Sequence, residues 1–206
     1  FVPVEPSGIV DPQKIFAAIR PDTVLVSVHY ANNEIGTIQP IKKIAKVIHD
    51  KRSTINDLRF HTDACQAAGF LPLNVQELGA DMMTLNASKI YGPKGIGALF
   101  VRRVTKTAPM ILGGDQERGR RAGTESVALA VGFAMALEIA HETRIPNTKK
   151  LTKLRDWFIS QLPQARLNGD PVLRLPNNIN ISFDGVDSEM LLLALDDHLH
   201  GVLDHL

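Results

Sequence analysis

Four short segments carry the residue types from which a catalytic site is built. The first is Asn86-Ala87-Ser88-Lys89-Ile90-Tyr91-Gly92-Pro93-Lys94-Gly95-Ile96-Gly97. A lysine leaving an apolar strand into a Gly/Pro-rich turn can be partly desolvated, which lowers its pKa toward the free amine that Schiff-base chemistry requires. Read alone, the segment equally fits a surface turn with two ordinary lysines, Lys89 and Lys94. No G-x-x-x-x-G-K-[ST] spacing occurs, so a P-loop is excluded.

The second segment is His61-Thr62-Asp63-Ala64-Cys65-Gln66, at the carboxyl end of an expected strand, where open α/β sheets bind ligands. Asp63 is placed to pair with a protonated heterocyclic nitrogen. Asp63 followed by Gln66 also fits a capping box for a helix starting there, and the hexapeptide does not decide between the two. The third, Gly113-Gly114-Asp115-Gln116-Glu117-Arg118-Gly119-Arg120-Arg121-Ala122-Gly123-Thr124, puts three arginines and a hydroxyl before a long helix. That composition suits an anion site, and it also suits a solvated loop. The fourth, Asn32-Asn33-Glu34-Ile35-Gly36, reads by itself as a polar turn.

The elements that must position these segments follow from hydrophobic period. Apolar residues at 15, 16 and 19 predict a helix over Asp11–Arg20, which Pro21-Asp22 breaks before the β-branched run Val24–Val28. A second helix is expected over Ile41–Asp50, with short strands at Leu58–Thr62, Asp81–Leu85 and Gly97–Val101. This alternation predicts βαβ-type units and a largely parallel sheet. Beyond Thr124 the spacing predicts two helices, Glu125–Thr143 and Asn147–Leu162, with a boundary near Ile145-Pro146. A half-buried strand over Asn178–Phe183 and a Leu-rich helix over Ser188–Leu195 then begin a smaller domain. The expected division is 1–145 for a partial large domain and 146–206 for a partial small one.

Composition narrows the function. Lys and Arg total 23 against 22 Asp and Glu, a net charge of +1, which supplies no broad field for a nucleic-acid backbone or an anionic membrane. The longest nearly apolar run, Val127–Ala140, is too short to span a bilayer and contains Glu138. A lone Cys65 and an amino end without signal-peptide character favour a reducing, cytoplasmic setting. The tail histidines His198, His200 and His205 have weak spacing for metal ligation, and no metal site is expected.

In this order the four segments resemble the cysteine desulfurases of the class-V aminotransferase superfamily, of fold type I and dependent on pyridoxal 5'-phosphate. Leu175-Pro176-Asn177-Asn178-Ile179-Asn180 continues the resemblance, which runs from about Val24 to Leu195. It implies an α/β large domain, a mostly parallel sheet flanked by helices, and the start of a small α+β carboxyl-terminal domain. By the resemblance, Lys89 would form the Schiff base with the cofactor and move the substrate Cα proton. Asp63 would pair with the pyridinium nitrogen, Gln66 and Asn33 would bond near the ring oxygen, and Asn86 and Ser88 would approach the phosphate. Thr124 would reach the phosphate of the partner subunit of a homodimer. The implied reaction converts L-cysteine to L-alanine and an enzyme persulfide, which supplies sulfur to an acceptor or iron–sulfur scaffold protein.

The chain also departs from the family pattern. Ser88 stands where the family usually has histidine, Asn86 where it has serine, and Asp115 interrupts a triple glycine. The amino-terminal part that would bring a ring-stacking histidine, the loop with the sulfur-accepting cysteine and a later substrate-binding arginine are expected but not found, so the chain reads as a fragment whose own activity is open. Cys65, two residues after Asp63, reads as a structural residue rather than the acceptor. Two other readings stand beside desulfuration: a non-catalytic dimerising remnant, and another class-V reaction such as selenocysteine lysis.

Overall fold

The computed structural model describes the backbone of residues 1–203 and the side chains of residues 1–196. Its centre is a four-stranded sheet in the order β1 (Leu25–His29), β2 (Arg59–Asp63), β3 (Met82–Asn86) and β4 (Gly97–Val101). The β1–β2 and β2–β3 pairs are parallel, with His29 level with Asp63 and Asp63 level with Thr84. The expected fold class holds, with one qualification: β4 is antiparallel to β3. Only residues 87–96 join these two strands, too few for the crossover that parallel pairing needs.

Period-2 alternation divides the strands into two faces. Val26, Val28, Phe60 and Met83 face α1 (Pro12–Ala18) and α2 (Ile41–Lys51), where Ile15, Ile41, Ile44 and Ile48 complete the main core. Each such aliphatic side chain contributes on the order of 2 kcal/mol by leaving water. Asp11 caps α1 by accepting from the Gln13 amide at 2.8 Å, and Pro12 suits the first turn; Ile19 is already extended, so α1 stops short of the expected Arg20. The opposite sheet face is polar. There Ser27 Oγ lies 2.8 Å from His61 Nδ1, and His61 Nε2 lies 2.8 Å from Thr84 Oγ1, a chain of contacts across three strands.

Asp81 closes the sheet from within. Its carboxylate accepts from the Phe60 amide at 2.7 Å and pairs with Arg52, while Arg102 Nε approaches at 3.8 Å. The short helix α3 (Val75–Leu78) precedes it, capped by Asn74 and ended by Gly79.

The largest difference from the sequence expectation is α5 (Val127–Ser160), one 34-residue helix that runs through Pro146. Proline removes one backbone donor, but anchors on both sides keep the rod continuous. Phe133 packs with Ala68, Ala87 and Ile90, Thr148 Oγ1 donates to Phe70 O at 3.4 Å, and the Arg155 guanidinium donates to the Arg174 and Leu175 carbonyls at 3.1 Å each. Between sheet and rod lies α4 (Gln116–Gly119), a single distorted turn with Glu117 and Arg118 at positive φ. The expected strand over Asn178–Phe183 shortens to β6 (Ile181–Ser182), paired with β5 (Arg166–Leu167), and α6 (Ser188–Leu203) extends beyond the expected Leu195. The side chains of His198, His200 and His205 lie outside the described residues.

Candidate functional site

The carboxyl ends of the three parallel strands carry most of the expected site residues. Asp63 ends β2, Asn86 ends β3, and Lys89 sits in the 3-10 turn Ala87–Ile90 that follows directly. Asn86 caps this turn by accepting from the Ser88 amide at 2.9 Å, and the Ser88 hydroxyl donates to the same oxygen at 2.8 Å. The turn ends on Tyr91 in the left-handed region, φ 62°, which costs a non-glycine residue about 1 kcal/mol. It lets the chain reverse tightly into Gly92, whose amide bonds to Ala87 O at 2.9 Å.

Lys89 is exposed rather than partly buried as the sequence suggested. A single surface turn cannot surround a side chain that long. It stands at the rim of an open groove of about 480 Å³ that Ile90, Tyr91 and Pro93 form with Met135, Ala136 and Ile139 of α5.

Asp63 is exposed, and its Oδ1 accepts from the Cys65 amide at 2.9 Å. This Asx turn takes the place of the helix that the Asp63/Gln66 spacing suggested: Cys65–Phe70 form successive turns, and Gln66 makes no hydrogen bond among the described residues. Cys65 is half-buried. Its thiol is pushed up to about 12, first by burial and then by the hydrogen bond and charge of the Asp63 carboxylate, with nearby Lys89 opposing them. Such a thiol is protonated at neutral pH and a poor nucleophile. Burial also lowers the pKa of His29 and of His61, and Asp63 partly offsets both shifts.

Asn33 lies on the loop after β1 with its side chain exposed. Asn32 Oδ1 shapes that loop by accepting from the Glu34 and Ile35 amides at 2.8 and 2.9 Å. Sequence reasoning assigned no role to the residue that holds it from outside. Asn178 Nδ2 donates to Glu34 O at 2.9 Å and to Asn33 O at 3.4 Å. With partners 145 residues apart, no local signal in the sequence could reveal the contact. Thr124 is exposed in the loop before α5, and the structure does not bring it to the Lys89 group by any hydrogen bond among the described residues.

The residues fit a phosphorylated pyridine cofactor. The Asp63 carboxylate and Lys89 flank the strand ends where such a ring binds, and exposed Ser88 beside them carries an amide and a hydroxyl, paired with Asn86 Oδ1 here, of the kind that bonds a phosphate oxygen. The aminotransferase class-V family model matches residues 1–202. The chain belongs to that family.

This class-V chain is 47% identical to the cysteine desulfurase IscS of Dictyoglomus turgidum, an alignment that covers 98% of the chain and 50% of the relative. Its fold matches a solved NifS-like protein with a TM-score of 0.89 at 34% identity, over 96% of this chain and 54% of that one. A structure described as SspA in complex with cysteine matches with a TM-score of 0.76 at 35% identity, over 93% and 52%. The class-V chain thus spans about half the length of the relatives it matches.

Proposed function

We propose that the chain is the cofactor-holding part of a pyridoxal 5'-phosphate-dependent cysteine desulfurase, which converts L-cysteine to L-alanine and leaves the sulfur as a persulfide on an enzyme cysteine. The carrying observation is the placement of Asp63 at the end of β2 and Lys89 one turn beyond β3, both within electrostatic reach of Cys65. The relative named as a complex with cysteine supports the substrate. When bound, the cofactor supplies an electron sink for the carbanion formed at the substrate Cα.

The chain's own residues supply the rest. Lys89 Nζ, at the groove rim, would hold the cofactor through its aldehyde and would accept and return the substrate Cα proton. The Asp63 carboxylate would keep the ring nitrogen protonated. The Ser88 amide and hydroxyl, both given to Asn86 Oδ1 here, would turn to the phosphate when it binds, and Asn33 and Gln66 offer carboxamides that no described residue occupies. Cys65, whose thiol burial and Asp63 hold protonated, is poorly suited to accept the sulfur. The persulfide sulfur would pass to an acceptor or iron–sulfur scaffold protein.

We carry three further points as parts of the same reading. The chain acts as a homodimer in which Thr124 serves the partner's phosphate site; exposed Met110, Ile111 and Leu112, 12 to 14 residues before it, supply apolar surface of the kind an interface covers. The chain divides near residue 146 into parts of a large and a small domain, with α5 continuous between them. The setting is cytoplasmic; no helix among the described residues is long and apolar enough to cross a membrane.

The test is an absorption spectrum of the chain with pyridoxal 5'-phosphate, beside Lys89→Ala. A band of the Schiff-base type, lost on borohydride reduction and absent in the variant, is expected. A folded chain that shows no such band, or the same band in Lys89→Ala, overturns the assignment.

A further inference from the structure

The segment Asn168–Asn180 lies against the loop Asn32–Thr37 in a way that packing alone does not require. Leu175 N donates to Gly36 O at 2.9 Å, Ile38 N donates to Leu173 O at 2.8 Å, and Asp170 N donates to Thr37 Oγ1 at 3.0 Å. Thr37 is fully buried. At the tip of this contact Asn178 reaches Asn33 O and Glu34 O, and Asn180 Nδ2 joins it on Glu34 O at 3.2 Å. The loop carbonyls are thus held by side-chain amides from a distant part of the chain.

Both sides of the contact are adapted to it. Gly36 has φ +71°, and a Cβ there would stand 2.6 Å from Asn178 Oδ1 and 2.8 Å from its Cβ, so only glycine lets the amide approach. Behind Asn178, buried Arg174 donates to its Oδ1 at 3.3 Å and to Asp170 O at 3.1 Å. Arg155 of α5, also buried, binds the carbonyls of Arg174 and Leu175 and pairs with Asp156 at 2.7 Å. A continuous chain of polar contacts therefore runs from α5 through Arg155, Arg174 and Asn178 to the backbone of Asn33.

We propose that Asn178 is a positioning residue, which through the Asn33 and Glu34 carbonyls sets the loop that presents Asn33 to the cofactor and ties that loop to the carboxyl end of α5. The proposal rests on the functional reading above for the role of Asn33, and on the geometry alone for the clamp. Asn178 does not itself touch the cofactor; it acts by limiting the conformations open to the loop.

The experiment uses the full 206-residue chain with Asn178→Asp, which keeps the acceptor for Arg174 and loses both donors, with Asn178→Ala, and with Ser182→Ala as a control. Ser182 Oγ accepts from Asn168 at 2.8 Å in the same small sheet region and does not touch the loop. Amide exchange at Glu34 and Ile35, cofactor titration by absorbance and urea unfolding are measured together. In both Asn178 variants exchange at the two amides is expected to rise about tenfold, with the pyridoxal 5'-phosphate dissociation constant weakened by a similar factor. Ser182→Ala leaves both unchanged. Unchanged exchange in the Asn178 variants overturns the clamp, and so does a matching rise in Ser182→Ala. Faster exchange with an unchanged dissociation constant overturns the link to Asn33. If the parent chain binds no cofactor, the desulfurase reading fails, while amide exchange still decides the clamp.

Discussion

The Asp81 carboxylate accepts from the amide of Phe60 at 2.7 Å, so a side chain from the residue just before β3 completes the backbone bonding of β2. Asp81 is buried, and Arg52 and Arg102 neutralise it from the rim of the sheet. Removing one partner of a buried pair leaves the others uncompensated. Asp81→Ala is expected to lower stability by about 3 kcal/mol, read as a shift in the urea midpoint at constant slope. A loss below about 1 kcal/mol would assign Asp81 the modest worth of a surface ion pair.

Cys65 gives a chemical prediction. With its thiol pushed up to about 12, the thiolate fraction at pH 8 is about one in ten thousand, so alkylation by iodoacetamide should run roughly a thousandfold slower than in the urea-unfolded chain. Asp63→Asn removes a charge that raises this pKa and should speed the reaction. The linkage has a definite sign: the folded chain holds the proton between the ordinary value of 9.0 and about 12, so stability is unaffected below about pH 9 and falls as pH rises toward 12. Alkylation as fast in the native chain as in the unfolded one would contradict both statements.

The histidines act at the other end of the scale. His29, His49 and His61 all have pKa values lowered first by burial, so below about pH 6.5 the unfolded chain binds protons that the folded chain resists. The stability is present above pH 6.5 and is lost as pH falls through the lower folded values. Urea midpoints should therefore drop between about pH 7 and 5, and His61→Gln, which keeps a hydrogen-bonding side chain between Ser27 and Thr84, should flatten the drop. An equal slope in the variant would show that His61 does not contribute.

Phe133 joins α5 to the turn that carries Lys89, packing with Ala87 and Ile90. Phe133→Ala should cost about 3 kcal/mol. Because Ala87 and Ile90 bound the Lys89 turn, borohydride trapping of the cofactor should fall in the same variant even under conditions where it is fully folded. Trapping at the parent level in folded Phe133→Ala would show that the turn holds its shape without the helix.

The sheet and its helices were legible because their signals are local. The Val24–Val28 run, the period of Ile41, Ile44, Ala45 and Ile48, and the apolar strand before Lys89 each reappear as the expected element within a residue or two. Pro146 misled because anchors at Thr148 and Arg155, remote in sequence from their partners, hold the helix through the proline. Asp63 and Gln66 have capping-box spacing, but Asp63 satisfied the Cys65 amide in a turn instead. For the site, the motifs placed Lys89, Asp63, Asn86 and Ser88 on adjoining strand ends. Asn178 was visible only as part of a motif, because its work depends on a partner loop that it meets through the fold.

The same contact has a consequence for the order of events during synthesis. Asn33 and Asn178 are 145 residues apart, so at about 5–20 residues per second the loop is made some 7–30 s before the residue that fixes it. Helix α2 and the β1–β2 pair have all their partners in hand during that interval, whereas the loop between them does not. The nascent chain therefore carries a formed sheet with an unset binding loop, and translation of the last quarter of the described chain is the event that sets it.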